Sequence, residues 1–198
     1  RDMVSELIAV AGHIRLGQLD SRGDQDRFEG GWHEVIKGVN GVVDASDAQD
    51  SVVMPVVNFW LGAKEPQKAE ILLKKVIVHS PENFDFRLFL ARIYNDSGRL
   101  DESEQLLRES LEVNKDPGHP GIIRTKMSLA KLMLAKALPE DAEKLVDEVL
   151  AEDHNNVEAH GLKGNFYLNR RDGLNAISEF RVVVTEKPEL VQGHLNLA

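Results

Sequence analysis

Ser128 and Lys131, separated by two residues, have the types and spacing of a nucleophilic hydroxyl and the base that would activate it. Four-residue coincidences are common, though, and this pair sits inside a longer helical pattern with no companion motif to orient it or to bind an oxyanion. Asp20, Asp24, Asp26 and Glu29 gather enough carboxylate oxygen for a calcium ion. They lack the alternate-residue spacing of a calcium loop, and Arg22 and Arg27 stand among them, so local salt bridges and helix-end hydrogen bonds account for them better. The seven histidines are dispersed: His160 and His194 share a periodic position but have no third ligand near them in sequence, and His119 and His154 fall in loops and read as surface. Cysteine is absent, which removes thiol nucleophiles, thiolate metal sites and disulfides, and neither Gly-x-x-x-x-Gly-Lys nor Gly-x-Ser-x-Gly occurs. With no nucleophile, base and orienter assembled, the sequence gives an enzyme nothing to rest on, and no cofactor is expected.

The elements that carry these residues recur at a fixed interval. In the stretch Phe84–Pro117, Leu90, Ala91 and Tyr94 open a helix pair, Gly98 breaks it, and Ser103, Leu107, Ser110 and Leu111 carry the second helix. The same slots 34 residues earlier hold Val56, Val57, Trp60, Ala69, Leu73, Val76 and Ile77. A shift of 39 forward, with five extra residues at Gly118–Ile122, reaches Leu129, Ala130, Met133, Ala142, Val146, Val149 and Leu150; a further 34 reaches Lys163, Gly164, Tyr167, Ala176, Phe180, Val183 and Val184. Each unit buries its apolar face only against its neighbours, so a period of this length predicts stacked helical hairpins. The spacing predicts a first helix over Phe84–Asp96 and a second from Leu100 to about Val113, with turns at Ala63–Pro66, Ser97–Gly98, Leu138–Pro139 and Asp172–Gly173.

This period, the small residues at its eighth and twentieth slots and its closing prolines resemble the tetratricopeptide repeat (TPR). The pattern departs from the family at Arg87, where a large aromatic is usual, at Lys163 in place of Leu, and at Ser103 and Ser110 in place of Ala. The resemblance implies an all-α fold: an α-solenoid, a right-handed superhelix of antiparallel helix pairs, with a concave face lined by first helices. The array is expected over 50–198, in units 50–83, 84–122, 123–156, 157–190 and a partial 191–198.

Residues 1–49 form a separate segment. Met3, Leu7, Val10 and Ile14, and later Trp32, Ile36, Val39 and Val43, fall at steps of three and four and lay a narrow apolar seam along each of two helices. The connector wording, Gly17-Gln-Leu-Asp-Ser-Arg22-Gly-Asp and Arg27-Phe-Glu-Gly-Gly-Trp32, resembles the HAMP-type linker modules of bacterial chemoreceptors and sensor kinases. That resemblance implies a helix-connector-helix unit, a homodimer through residues 3–43 and a signal-relay role; a plain helical hairpin capping the array is the alternative. The segment 44–50 is a polar joint, after which Ser51 is placed to cap the first repeat helix with Pro55 in its first turn.

Of 198 residues, 42% are hydrophobic and 29% charged, with 33 acidic against 24 basic side chains. A net charge of −9 argues against a nucleic-acid binder, which needs a basic face for phosphates. No apolar run reaches the length of a membrane span. Starting at Arg1 and stopping inside a repeat, the chain reads as part of a longer protein. Repeats of this wording also resemble those of bacterial exopolysaccharide- and export-associated proteins, which implies a cytoplasmic or envelope-associated setting.

On stacked repeats, residues in one slot stand side by side. The ninth slot holds Asn58, Arg92, Lys131 and Asn165, and the second slot of the third unit adds Arg124. Asn side chains suit the backbone amides of an extended peptide, and the cations suit an acidic side chain or C-terminal carboxylate. Met54, Leu88, Met127 and Leu168 are expected to supply apolar pockets beside them. The stripe partly resembles the carboxylate clamp of chaperone-binding TPR proteins but has Met54 where that pattern wants Lys, so chaperone C-termini are not the expected ligand. The expectation is a scaffold binding a protein or acidic peptide; the competing reading has these cations balancing nearby Glu and Asp.

Overall fold

The structure, a computed structural model, describes residues 50–188. The helical pair at 1–49 with its seam at 3–43, the acidic cluster between Asp20 and Glu29, and the partial repeat at 191–198 with His194 lie outside the described residues. Among the described residues there are eight α-helices and no strand: α1 (Asp50–Gly62), α2 (Pro66–His79), α3 (Phe84–Asp96), α4 (Leu100–Leu111), α5 (Pro120–Ala135), α6 (Pro139–Glu152), α7 (Val157–Asn169) and α8 (Gly173–Glu186). The fold is all-α. The chain divides into two compact units, one ending at Ile93 and the other beginning at Tyr94, so the boundary runs through α3.

In the first unit α1 packs against α2. Val53, Val56, Val57 and Trp60 fall on one side of α1, and Ala69, Leu72, Leu73, Val76 and Ile77 on one side of α2, and all of them are buried. Asp50 and Ser51 are both helical, so Ser51 lies inside α1 rather than capping it, and Pro55 lies within the helix as well. The helix forgoes the hydrogen bond that a nitrogen at 55 would donate to the carbonyl of residue 51. Pro66 opens α2, where a missing donor costs nothing. The entry to α3 is capped by Asn83, whose Oδ1 accepts from the amides of Asp85 at 2.9 Å and Phe86 at 3.4 Å. Arg87, standing where the family usually has an aromatic, donates from Nε to the Pro81 carbonyl at 3.3 Å and ties the helix to the preceding loop.

In the second unit α4 packs on α5, α5 on α6, α6 on α7 and α7 on α8. The helices approach through Ala130, Ala142, Ala159, Gly164 and Ala176, all of them buried. Leu107, Leu129, Leu132, Met133, Val146 and Val149 fill the space between, each large aliphatic contributing about 1.5–3 kcal/mol by leaving water. Ser103 and Ser110, which stand where the family has Ala, are fully buried, and the Ser110 hydroxyl donates to the Leu106 carbonyl at 2.7 Å. Three of the five extra residues at Gly118–Ile122 become the first turn of α5, which starts at Pro120 and runs 16 residues. Its cap is His119, whose Nδ1 accepts from the Gly121 amide at 3.1 Å; this histidine is half-buried structural wiring rather than surface.

Each turn between paired helices has the same backbone solution. Lys64 (φ 60°), Gly98 (72°), Ala137 (57°) and Arg171 (60°) are left-handed, spaced 34, 39 and 34 residues apart. The following amide in each case reaches back to the last turn of the first helix: Glu65 to Trp60, Arg99 to Tyr94 and Leu138 to Met133 at 2.8 Å, and Asp172 to Tyr167 at 2.9 Å. This is a Schellman-type closure, which requires a positive φ at its penultimate residue. Only Gly98 meets that requirement without a steric cost.

Candidate functional site

The site residues expected from sequence lie on first helices, and each unit holds its own share. In the first unit, Asn58 on α1 and Arg92 on α3 are exposed, and Met54 and Leu88, one turn before each, are half-buried. In the second unit, Arg124 and Lys131 stand two turns apart on one exposed face of α5, while Asn165 and Leu168 share an exposed face of α7, Leu168 being 51% exposed. Met127 differs from the expectation of an open pocket. It is 3% exposed and belongs to the packed interior of α5, a helix that buries eight side chains or glycines along its length.

The second unit shows which slots face each other. Lys131 Nζ is ion-paired with Glu158 Oε1, so the ninth slot of α5 stands opposite the second slot of α7. The sequence offered Lys131 either as a ligand cation or as a cation balancing a nearby carboxylate, and did not name this partner. Lys163, the cation in a slot usually held by Leu, donates to Asp147 of α6 at 2.6 Å. Burial disfavours its ammonium, yet the hydrogen bond and charge of Asp147, with Tyr167 and Glu179 adding to them, hold its pKa above the ordinary value.

A second arrangement, invisible to slot-by-slot reading, recurs between repeats. Lys136, following α5, lies 2.6 Å from Asp101 and 2.7 Å from Glu104 on α4. Arg170, 34 residues later and following α7, grips Glu143 of α6 with two parallel hydrogen bonds, one of them 2.8 Å. Glu143 is the counterpart of Glu104 after the 39-residue shift. The Lys136 hydrogen bond and charge lower the carboxyl pKa of Asp101; Lys136, then Arg108, lower that of Glu104. Lys136 is raised in turn by Asp101 and then Glu104, and Arg170 by Glu143. On α8 the counterparts of Asp101 and Glu104 are Leu174 and Ile177, both exposed, so the acidic half of the clasp ends with α6.

Ser128 and Lys131 do not form a catalytic pair. The Ser128 hydroxyl donates to the Arg124 carbonyl at 2.9 Å while the lysine turns to Glu158. His160 is held through Nδ1 against Glu179 of α8 at 2.6 Å and through Nε2 against the His154 carbonyl at 2.8 Å, and so links the loop before α7 to α8. Among the described residues no three His, Asp or Glu side chains cluster as metal ligands, and no helix is long and apolar enough to cross a membrane.

Paired helices recurring at 34 residues, small residues at their crossings and a left-handed residue at every hairpin turn define the repeat. A family model described as the tetratricopeptide repeat matches residues 61–120. Over those residues the chain is similar to the tetratricopeptide repeat. A crystal structure of MamA resembles this chain with a TM-score of 0.59 at 13% identity, covering 88% of this chain and 99% of that one. Pseudomonas aeruginosa pilF resembles it with a TM-score of 0.64 at 16% identity, over 92% of this chain and 76% of that one. A Podosopora anserina protein with nearly identical TPR-like repeats gives 0.61 at 15% identity, over 96% of both. At such identities the likeness is one of fold. No curated protein matches the sequence. TPR-type proteins are generally non-enzymatic protein-interaction scaffolds, and the fold here is of that kind.

Proposed function

We propose that within each unit the first helices, α1 and α3 in the first and α5 and α7 in the second, present a surface that binds an extended, acidic segment of a partner protein. Asn58 and Asn165 hydrogen-bond its backbone amides, Arg92, Arg124 and Lys131 receive its carboxylates, and Met54, Leu88 and Leu168 take up its apolar side chains. Met127 supports this surface from beneath. The observation that carries the reading is the Lys131–Glu158 pair. Within the second unit a carboxylate reaches Lys131 from the next first helix while both side chains stay open to solvent, which supports Lys131 as a carboxylate-receiving position.

Selection from a peptide display library on the whole chain tests the proposal. Enrichment of acidic sequences with interspersed aliphatics, competed by free peptide of the same kind, supports it. Enrichment of basic or neutral sequences, or none above background, contradicts it.

A further inference from the structure

Resting on that reading, we propose that Glu158 is a built-in competitor for Lys131, an internal carboxylate that an acidic ligand must displace before it can bind. Three features of the second unit lead to this. The pair joins two first helices, α5 and α7, whereas Lys136, Lys163 and Arg170 each tie a residue of one hairpin to the second helix of the hairpin before it. The Lys131 and Glu158 side chains are 55% and 50% exposed, so the pair lies on the surface offered to a ligand rather than in the packing between hairpins. Glu158 also stands in the first turn of α7, capped by Asn156. The partial positive charge of that helix end steadies the carboxylate once Lys131 has released it. An open ion pair of this kind is weak, so a ligand carboxylate displaces it at small cost. The consequence is a threshold: ligands bringing one isolated carboxylate exchange like for like and gain little, while ligands with several carboxylates or apolar anchors beside them bind.

The test uses a fluorescein-labelled ten-residue peptide alternating Asp with Leu, and its counterpart with Asn for Asp. Both are titrated by fluorescence anisotropy against the whole chain, Glu158→Gln, Lys131→Gln and the double variant, with helicity checked by circular dichroism. In parallel, site-resolved acetylation reads how available the Lys131 amine is without any ligand. The proposal expects Glu158→Gln to bind the acidic peptide about two- to fivefold more tightly, the range set by an exposed ion pair. It expects no change for the Asn peptide and faster acetylation of Lys131. It also expects the gain to vanish when Lys131 is absent. That last comparison separates a competitor from a general change in field, because merely removing a negative charge would help an acidic peptide with or without Lys131. If Lys131→Gln weakens binding but Glu158→Gln brings no gain, or the gain persists in the double variant, the competitor idea is overturned and the groove reading stands. Unchanged acetylation overturns it independently of any ligand. If no variant binds the acidic peptide, the groove reading fails and the competitor has nothing to compete with.

Discussion

The Cβ that Gly164 lacks would stand 2.6 Å from Cε1 of Phe180. The two residues occupy the positions held by Ala130 and Val146 one repeat earlier, so the larger side chain on α8 is matched by the smaller one on α7. Close packing leaves no room at this crossing for both a Phe and a Cβ opposite it.

Gly164→Ala is therefore expected to force the Phe180 ring aside. Overpacking costs about 1–3 kcal/mol, and the better helix propensity of Ala returns about 1 kcal/mol. Net destabilisation should be modest, and Phe180→Val added to it should recover most of the loss. Urea denaturation of the two single variants and the double variant yields the coupling energy; additive effects would show that the two sites do not share space.

Ala137 sits at φ 57° in the turn where Gly98 performs the same task. A left-handed Ala costs about 1–2 kcal/mol, partly offset by the greater unfolded-state freedom of Gly. Ala137→Gly should raise stability by about 0.5–1 kcal/mol, and Gly98→Ala should lower it by a similar amount. Shifts of the urea midpoint in the same direction for both would contradict the shared backbone geometry.

The clasp formed by Asp101, Glu104 and Lys136 makes stability depend on pH. The carboxyl pKa values are lowered from 3.8 and 4.5, so their contribution is complete above those values and disappears as pH falls through the lower folded-state ones. Lys136 is raised from 10.5, so its contribution is complete below that and disappears as pH rises through the higher folded-state value. The stability difference between the natural chain and Lys136→Met should be flat from about pH 5 to 10 and shrink on either side. A difference that peaks near pH 4 would contradict the pairing.

Asn156 caps α7 by accepting from the Ala159 amide at 3.0 Å. Replacing it with Ala should cost about 1 kcal/mol, and Asp should keep most of the stability. Equal thermal midpoints for the Ala and Asp variants would show that the cap contributes nothing.

Much of this fold was legible because the repeat is written in volumes. Small residues such as Ala91, Ala130 and Gly164 and the apolar positions around them recur at one spacing, and α3 spans Phe84–Asp96 as that spacing predicts. The left-handed turn residue was not legible, since Lys64, Ala137 and Arg171 give no sign of a positive φ; backbone closure imposes it on them. The clasp escaped notice for a different reason. Lys136 and Glu104 are 32 residues apart and in different slots, so matching like slot with like could not pair them, although aligning Lys136 with Arg170 and Glu104 with Glu143 would have exposed the relationship. Met127 was misplaced because periodicity ranks residues around one helix and does not register how closely its neighbours wrap α5. Lys131 is exposed, as its slot predicts, but its pairing with Glu158 becomes visible only once α5 and α7 are both in place.

The account rests on the ninth-slot cations receiving an acidic ligand, and reversing both of them tests this most directly. Isothermal titration of the acidic Asp/Leu peptide against the natural chain and against Arg92→Glu/Lys131→Glu, with helicity matched by circular dichroism, gives the answer. The account predicts an affinity loss of about tenfold or more, the scale of lost hydrogen bonds to charged groups. Equal affinity in the two folded proteins would contradict it.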